Sequence, residues 1–114
     1  MKIEKFEDII SWQKSRELIL FVYKLFRDNR DFSFVNQIER ASVSICNNIA
    51  EGFERKSNKE FIHFLYIAKG SCAEVRSMGF IALDLIYISK SDFEKVNNLS
   101  TEISKLISGL IKTL

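Results

Sequence analysis

Residues 58–89 read NKEFIHFLYIAKGSCAEVRSMGFIALDLIYIS, and apolar or small side chains recur there at alternating steps of four and three residues. Such steps return to one side of an α-helix, so the stretch predicts a single long helix with a continuous apolar seam. The predicted seam consists of Phe61, Leu65, Ala68, Cys72, Val75, Gly79, Ala82 and Ile86. Because a seam of this length must be covered by other helices, it predicts a helical bundle.

Three other segments have helical periodicity. We predict helices over residues 8–29, 33–54 and 92–112, joined by short connections. A serine followed three residues later by a glutamate is typical of a helix start, and this pattern occurs at Ser57 with Glu60 and at Ser91 with Glu94. Together the segments predict an all-α, antiparallel up-down-up-down four-helix bundle that forms a single domain over residues 1–114.

The composition agrees with a soluble helical domain. Of the 114 residues 46% are hydrophobic, which is enough for a core, and no proline and only four glycines are present, too few for the turns of an all-β fold. Cys46 and Cys72 are too few for a disulfide framework, and we interpret them as core residues in a reducing compartment. The longest apolar run, residues 18–23, is too short to span a membrane, and no signal peptide is evident. We therefore expect a cytoplasmic protein without membrane contact.

The charge is nearly balanced, with 17 basic and 15 acidic residues and a net charge of +2. This balance predicts no strong nonspecific attraction to polyanions, so any nucleic-acid contact depends on a local patch. Two basic groups stand out: Lys24, Arg27 and Arg30 at the end of the first helix, and Arg55, Lys56 and Lys59 in the second connection. Both groups are open to two interpretations, as solvated helix ends or as contacts to the phosphates of RNA or DNA.

Polar and small residues line part of the second and third helices. We interpret them as a structural polar network that fixes helix register, or as an interface that lines a ligand or nucleic-acid groove. The set comprises Gln37, Arg40, Asn48, Glu51, Gly52, Gly70, Ser71 and Glu74. Within it, Arg40 and Arg76 are possible partners for Glu51 and Glu74.

Few residues suggest catalysis. The only histidine, His63, follows Glu60 at the spacing found in half of a di-iron carboxylate site, but the chain has no second histidine to complete one. No glycine-rich phosphate loop or ordered nucleophile–base pair is evident. We therefore predict no enzymatic activity, no metal and no cofactor.

The apolar stripes of the first and third helices are wider than one small bundle can cover. Surplus apolar surface on a small domain usually marks association with another protein. We therefore predict a homo-oligomer.

Several short blocks, taken in order, resemble one bacterial protein family. They are FEDI at 6–9, WQK at 12–14, NIAEG at 48–52, EF at 60–61 and GS at 70–71. The chain resembles, over nearly its whole length, the four-helix-bundle proteins encoded in 23S ribosomal RNA intervening sequences, also called the S23 family. The accessory variability proteins of diversity-generating retroelements are similar.

The resemblance implies an antiparallel four-helix bundle, a ring-like homopentamer and no enzymatic activity. For the retroelement relatives it implies binding to nucleic acid and to a reverse transcriptase through basic surface on the ring. This chain differs from the family pattern in its short, proline-free first connection and in having Ser77-Met78 where Gln-Leu is usual.

Two functions follow as hypotheses. The first is a non-enzymatic, homo-oligomeric and pentameric scaffold or accessory factor that associates with nucleic acid. The alternative is a protein–protein interaction module that docks a partner on exposed apolar surface and does not bind nucleic acid.

Overall fold

The computed structural model describes residues 2–114. Within that range it contains four α-helices and no β-strand, as the sequence predicts, together with a 3₁₀ turn that the sequence does not predict. The 3₁₀ turn covers Phe6–Asp8, and the helices are α1 (Ile10–Leu25), α2 (Phe32–Phe53), α3 (Asn58–Asp84) and α4 (Lys90–Lys112). None of the described helices is both long enough and apolar enough to cross a membrane.

Each of the last three helices begins at a side-chain cap. Asp31 accepts a hydrogen bond from the Phe34 amide at α2, and Ser57 accepts one from the Glu60 amide at α3, as predicted. The prediction for α4 is wrong by two residues, because Ser89 has extended backbone angles and accepts from the Asp92 amide. Satisfying a free N–H group in this way favours the helix start at Lys90.

The end of α3 differs more from the prediction. The helix stops at Asp84 rather than near residue 89 because Ile86 takes a left-handed conformation, with φ of 59°. The Ile86 amide then donates to the Leu83 carbonyl, and the Tyr87 amide donates to the Ala82 carbonyl. These two hydrogen bonds form a Schellman motif, a common C-terminal cap. Ile86 therefore leaves the predicted seam and is 87% exposed.

The core lies between the four helices. Seven of the eight predicted seam residues of α3, all except Ile86, are buried. They meet fully buried side chains of the other helices, among them Leu18, Ile45 and Ile103. Each helix contacts two neighbours: α1 and α3 both contact α2 and α4, and within residues 2–114 neither α1 with α3 nor α2 with α4 is in contact. The outward faces of α1 and α3 therefore lie on opposite sides of the bundle.

Candidate functional site

The two predicted basic groups are far apart. Lys24, Arg27 and Arg30 flank the connection before α2, whereas the second group lies at the connection after it. The 22 residues of α2 separate them, which corresponds to about 33 Å at 1.5 Å per residue. One molecule therefore does not bring the two groups together.

The second basic group is only partly free. The Arg55 guanidinium pairs with the Glu51 carboxylate at 2.9 Å and lies over the Phe64 ring, 4.7 Å from its centroid. Arg55 thereby links α2 to α3. Lys56 and Lys59 are exposed and form no salt bridge with any residue from 2 to 114.

In the first basic group, the three exposed cations are interleaved with Asp28 and Asp31. The Tyr87 hydroxyl donates to the Asp31 carboxylate at 2.7 Å. This bond, with the bond from the Phe34 amide, lowers the pKa of Asp31. The acids offset the positive charge at this end of the bundle.

The polar residues of α2 and α3 are brought together only in part. The Asn48 amide group donates to the carbonyl and the hydroxyl of Ser44, and the Ser71 hydroxyl donates to the Ser44 hydroxyl at 3.0 Å. This chain of bonds joins α2 to α3. Gln37, Arg40 and Glu74 are exposed and take no part in it.

The expected ion-pair partners are also different. Glu51 pairs with Arg55, one helical turn away, rather than with Arg40. Arg76 donates to the Asn97 side chain of α4 at 3.2 Å rather than to Glu74. Arg76 and Glu74 are two residues apart on one helix and so project in different directions.

The two glycines of this set have different surroundings. A Cβ atom at Gly52 would stand 2.6 Å from the Phe64 Cβ and 3.0 Å from a Phe61 ring carbon, so glycine permits the close approach of α2 and α3. A Cβ atom at Gly70 would have nothing within 4 Å, and Gly70 is exposed. Gly70 therefore serves no packing within the chain.

The residues considered for catalysis are not assembled. Glu60 hydrogen-bonds to Ser57, while His63 is exposed with its ring edge-on to Phe64. Among residues 2–114 no three His, Cys, Asp or Glu side chains gather where they could hold a metal ion.

Both cysteines are free thiols buried in the bundle, as predicted for core residues. Burial raises the pKa of Cys46 to about 11 and that of Cys72 to about 12. A thiol must lose its proton to act as a nucleophile, so both are unreactive at neutral pH.

The structure reveals a basic groove that sequence reasoning missed. We call it the α3–α4 groove. It is lined by Lys69, Arg76, Thr101, Ser104, Lys105, Ser108, Gly109 and Lys112. Four of these residues are cations, three carry hydroxyl groups, and none is acidic.

The helix geometry explains why these cations meet. Lys69 and Arg76 are seven residues apart on α3, and Lys105 and Lys112 are seven apart on α4, so each pair lies on one side of its helix. The Lys69 ammonium donates to the Ser108 hydroxyl at 2.6 Å. This repeated spacing is the signal that could have indicated the groove from the sequence, but only once α3 and α4 were known to pack side by side.

The groove is long enough to contact several phosphates. Lys69 is level with Ser108, and Arg76 is level with Asn97. Lys112 follows Ser108 by one helical turn and therefore lies beyond Lys69, on the side away from Arg76. Lys112 to Arg76 therefore spans about 16 Å at 1.5 Å per residue. Lysine and arginine neutralise phosphates, and hydroxyl groups donate hydrogen bonds to them.

Fold and groove together define a small all-α helical-bundle protein with a cationic surface groove. The chain belongs to the family of 23S rRNA-intervening sequence proteins, because the family model matches residues 7–109. The resemblance seen in the sequence is thereby confirmed.

A solved structure supports the same assignment. A protein of unknown function from the S23 ribosomal protein family of Bacteroides thetaiotaomicron, determined by crystallography at 1.70 Å resolution, is 32% identical to this chain. The similarity covers 90% of this chain and 99% of that one, with a TM-score of 0.84. No curated protein matches the chain significantly.

Proposed function

We propose that this protein is a non-enzymatic, homo-oligomeric scaffold that associates with nucleic acid through the α3–α4 groove. The observation that carries the proposal is the lining of that groove, in which four cations and three hydroxyl groups occur without an acidic residue. In both predicted basic groups, by contrast, acids lie beside the cations.

The proposed frame is an antiparallel up-down-up-down bundle. Pairs along α2 and α3 support it, because Asp31 meets Tyr87 and Ser44 meets Ser71. Between α1 and α4, Lys14 lies near Glu102 and Lys95 lies over the Phe21 ring. In both pairs of helices the residue numbers rise along one helix while they fall along the other.

Exposed apolar side chains support the homo-oligomer. Leu20 of α1 is 65% exposed, and Tyr66 and Ile81 of α3 are 58% and 46% exposed. A small domain rarely leaves this much apolar surface in water unless another protein covers it. We propose five copies, the number that the family resemblance implies.

An oligomer would strengthen weak phosphate binding. One groove offers four cations, and several grooves held in one assembly bind one polyanion with increased effective concentration. If each cation of one groove neutralises one phosphate of a single strand, log K falls by about 2.8 per tenfold increase in salt.

The test removes the same number of positive charges, two, from each of two sites. Lys105→Gln with Lys112→Gln removes two cations from the groove, and Lys56→Gln with Lys59→Gln removes two from the second basic group. Anisotropy of a labelled single-stranded RNA would report binding of both variants and the wild type. The salt slope is the decrease in log K per tenfold increase in salt concentration. We expect this slope to be smaller by about 1.4 in the groove variant, because two fewer phosphates of a single strand are neutralised, and to be unchanged in the other variant. Equal slopes for both variants would contradict the groove as the site.

One observation favours the alternative function. Leu85 and Ile86 stand exposed where α3 ends, and Ile86 is 87% exposed. A protein partner could cover them. In that case RNA would leave anisotropy unchanged at every salt concentration, while a partner such as a reverse transcriptase would co-purify with the wild type but not with an Ile86→Asp variant.

A further inference from the structure

We infer, on the basis of the nucleic-acid association proposed above, that the α3–α4 groove takes a single strand and holds its bases as well as its phosphates. The rings of Tyr66 and Phe80, which stand at the two ends of a row of cations on α3, stack on these bases. The ligand is therefore single-stranded nucleic acid with unpaired bases rather than any polyanion.

Two aromatic and two basic side chains share one row of α3. Tyr66, Lys69, Ala73, Arg76 and Phe80 follow one another at alternating steps of three and four residues, so they lie on one side of the helix. Lys69 and Arg76 line the α3–α4 groove. The two rings therefore stand about one helical turn outside the two cations, at opposite ends of the row.

Tyr66 is joined to the groove by a direct contact. Its ring centroid lies 6.0 Å from the Lys69 ammonium, and the same ammonium donates to the Ser108 hydroxyl of α4. Tyr66 is 58% exposed, so the contact with Lys69 leaves much of the ring open to a ligand. Lys112 lies beyond Lys69 on the same side as Tyr66, which places a second cation near this end of the row.

Phe80 is held in place at the other end of the row. Its ring packs against the Phe93 ring of α4, with the two centroids 4.7 Å apart, and Phe80 remains 49% exposed. Asn97, which accepts a hydrogen bond from the Arg76 guanidinium, follows Phe93 by one helical turn. The aromatic pair thus lies next to the contact between Arg76 and Asn97, where a strand would leave the groove.

The distance between the rings suits a short stretch of one strand. Tyr66 and Phe80 are separated by about 21 Å along α3 at 1.5 Å per residue. A stacked strand advances by about 3.4 Å per phosphate, so about six nucleotides or fewer reach from one ring to the other. Between the two cations the row carries Ala73, which is small and exposed and leaves the path of the strand open.

Rings and cations recognise different parts of a strand. Ammonium and guanidinium groups neutralise phosphates, whereas an aromatic side chain stacks on the flat face of a base. Every base has such a face, so stacking tolerates any sequence. The base must be unpaired and splayed out for a protein ring to reach its face, as it is in single strands and loops. The combination in this row therefore favours a single strand over a duplex.

An exposed tyrosine outside the groove provides a matched control. Tyr23 of α1 is 45% exposed and stands beside the first basic group, where Asp28 and Asp31 offset the positive charge. Within residues 2–114, α1 does not contact α3. A ring beside cations is thus present at both places, but only Tyr66 adjoins a groove that no acid lines.

Removing the bases from the strand tests the class of ligand. Anisotropy of the wild type would be measured with two labelled strands of equal length, oligothymidine and an abasic strand that keeps the phosphates but has no bases. One stacked base contributes about 5-fold to 150-fold in affinity. With two rings we expect oligothymidine to bind at least about 25-fold more tightly than the abasic strand, with a similar salt slope for both.

Removing the rings from the protein tests the site. Tyr66→Leu and Phe80→Leu keep apolar bulk but lose the ring, whereas Tyr66→Phe and Phe80→Tyr keep it. We expect each leucine variant to bind oligothymidine about 5-fold or more less tightly, with an unchanged salt slope because no phosphate contact is lost. The two ring-keeping variants and the control Tyr23→Leu should bind like the wild type, and every variant should bind the abasic strand like the wild type.

The mass of each variant separates base stacking from assembly. Light scattering after size exclusion should give all the variants the wild-type mass, because Leu20 and Ile81 lie outside the row and remain for the contact between copies. A fall in mass for Tyr66→Leu would assign this ring to the contact between copies and would contradict the inference.

Three binding results would also overturn the inference. Equal affinity for the two strands, with a clear salt slope, would mean that the groove holds phosphates alone, and the proposed function would stand without base stacking. Leucine variants that match the wild type on oligothymidine, while the wild type prefers it to the abasic strand, would place the base contacts elsewhere. Absence of binding to either strand at low salt would refute the proposed function itself and the inference with it.

Discussion

Replacing Ile86 by glycine should stabilise the folded chain. Ile86 has φ of 59° and is 87% exposed, so its side chain gains little from burial while its backbone is strained. The left-handed conformation costs an L-residue about 1–2 kcal/mol, and glycine avoids that cost. Glycine also gains freedom in the unfolded chain, which offsets about 0.5–1 kcal/mol.

The net gain in the free energy of unfolding is about 0.5–1 kcal/mol, the difference between these two terms. Unfolding entropy near 2.1 cal/mol/K per residue converts this gain to an increase in Tm of roughly 2–4 °C for a chain of this length. Thermal unfolding followed by circular dichroism at two protein concentrations would separate this effect from association.

Two control variants accompany this measurement. Ile86→Ala keeps a Cβ atom and should gain less than Ile86→Gly. Ala73→Gly, in the exposed interior of α3, should lose about 1 kcal/mol because glycine is a poor helix former. The reasoning is refuted if Ile86→Gly is no more stable than the wild type while Ala73→Gly is destabilised as expected.

Three further predictions concern packing and ionisation. Gly52→Ala should destabilise the fold by about 1–3 kcal/mol in urea unfolding, because its Cβ would overlap Phe64. Gly70→Ala, in open space within the chain, should not be destabilising. Equal losses of stability in the two variants would contradict the packing assigned to Gly52. The two buried cysteines should react with iodoacetamide only after unfolding, as measured by mass spectrometry, and rapid alkylation of the native protein would contradict their burial. Because the pKa of Asp31 is lowered in the folded state, its contribution to stability is present above its unfolded pKa and is lost as pH falls through the folded value; Tyr87→Phe should reduce this acid sensitivity in unfolding at pH 3 and pH 6.

The sequence predicts the helices and most of the core because periodicity records which side of a helix is buried. The seam from Phe61 to Ala82 is buried as predicted. The seam fails at Ile86, because periodicity does not reveal a left-handed residue, and isoleucine at that position gives no warning of a helix end. The start of α4 was predicted at residue 92 because Ser91 precedes Glu94 by three residues, whereas the backbone angles identify Ser89 as the cap.

The α3–α4 groove could not be recognised along the chain. Lys69 and Arg76 are 29 and more positions from Lys105, and their charges form one surface only when α3 and α4 pack side by side. The ion pair of Glu51 with Arg55, rather than with a predicted partner, could not be recognised from the sequence for a similar reason. Arg55 is one turn from Glu51 and also rests on the Phe64 ring, a contact across helices that the sequence does not show.

The salt dependence of RNA affinity tests the central claim most directly. Anisotropy of a labelled single-stranded RNA would be measured with the wild-type protein between 50 and 200 mM salt. If one groove of four cations is filled, the affinity falls by about 50-fold over this range, and binding through several grooves makes the fall steeper. Affinity that does not change with salt, or no binding at 50 mM, would contradict a scaffold that holds nucleic acid by its phosphates.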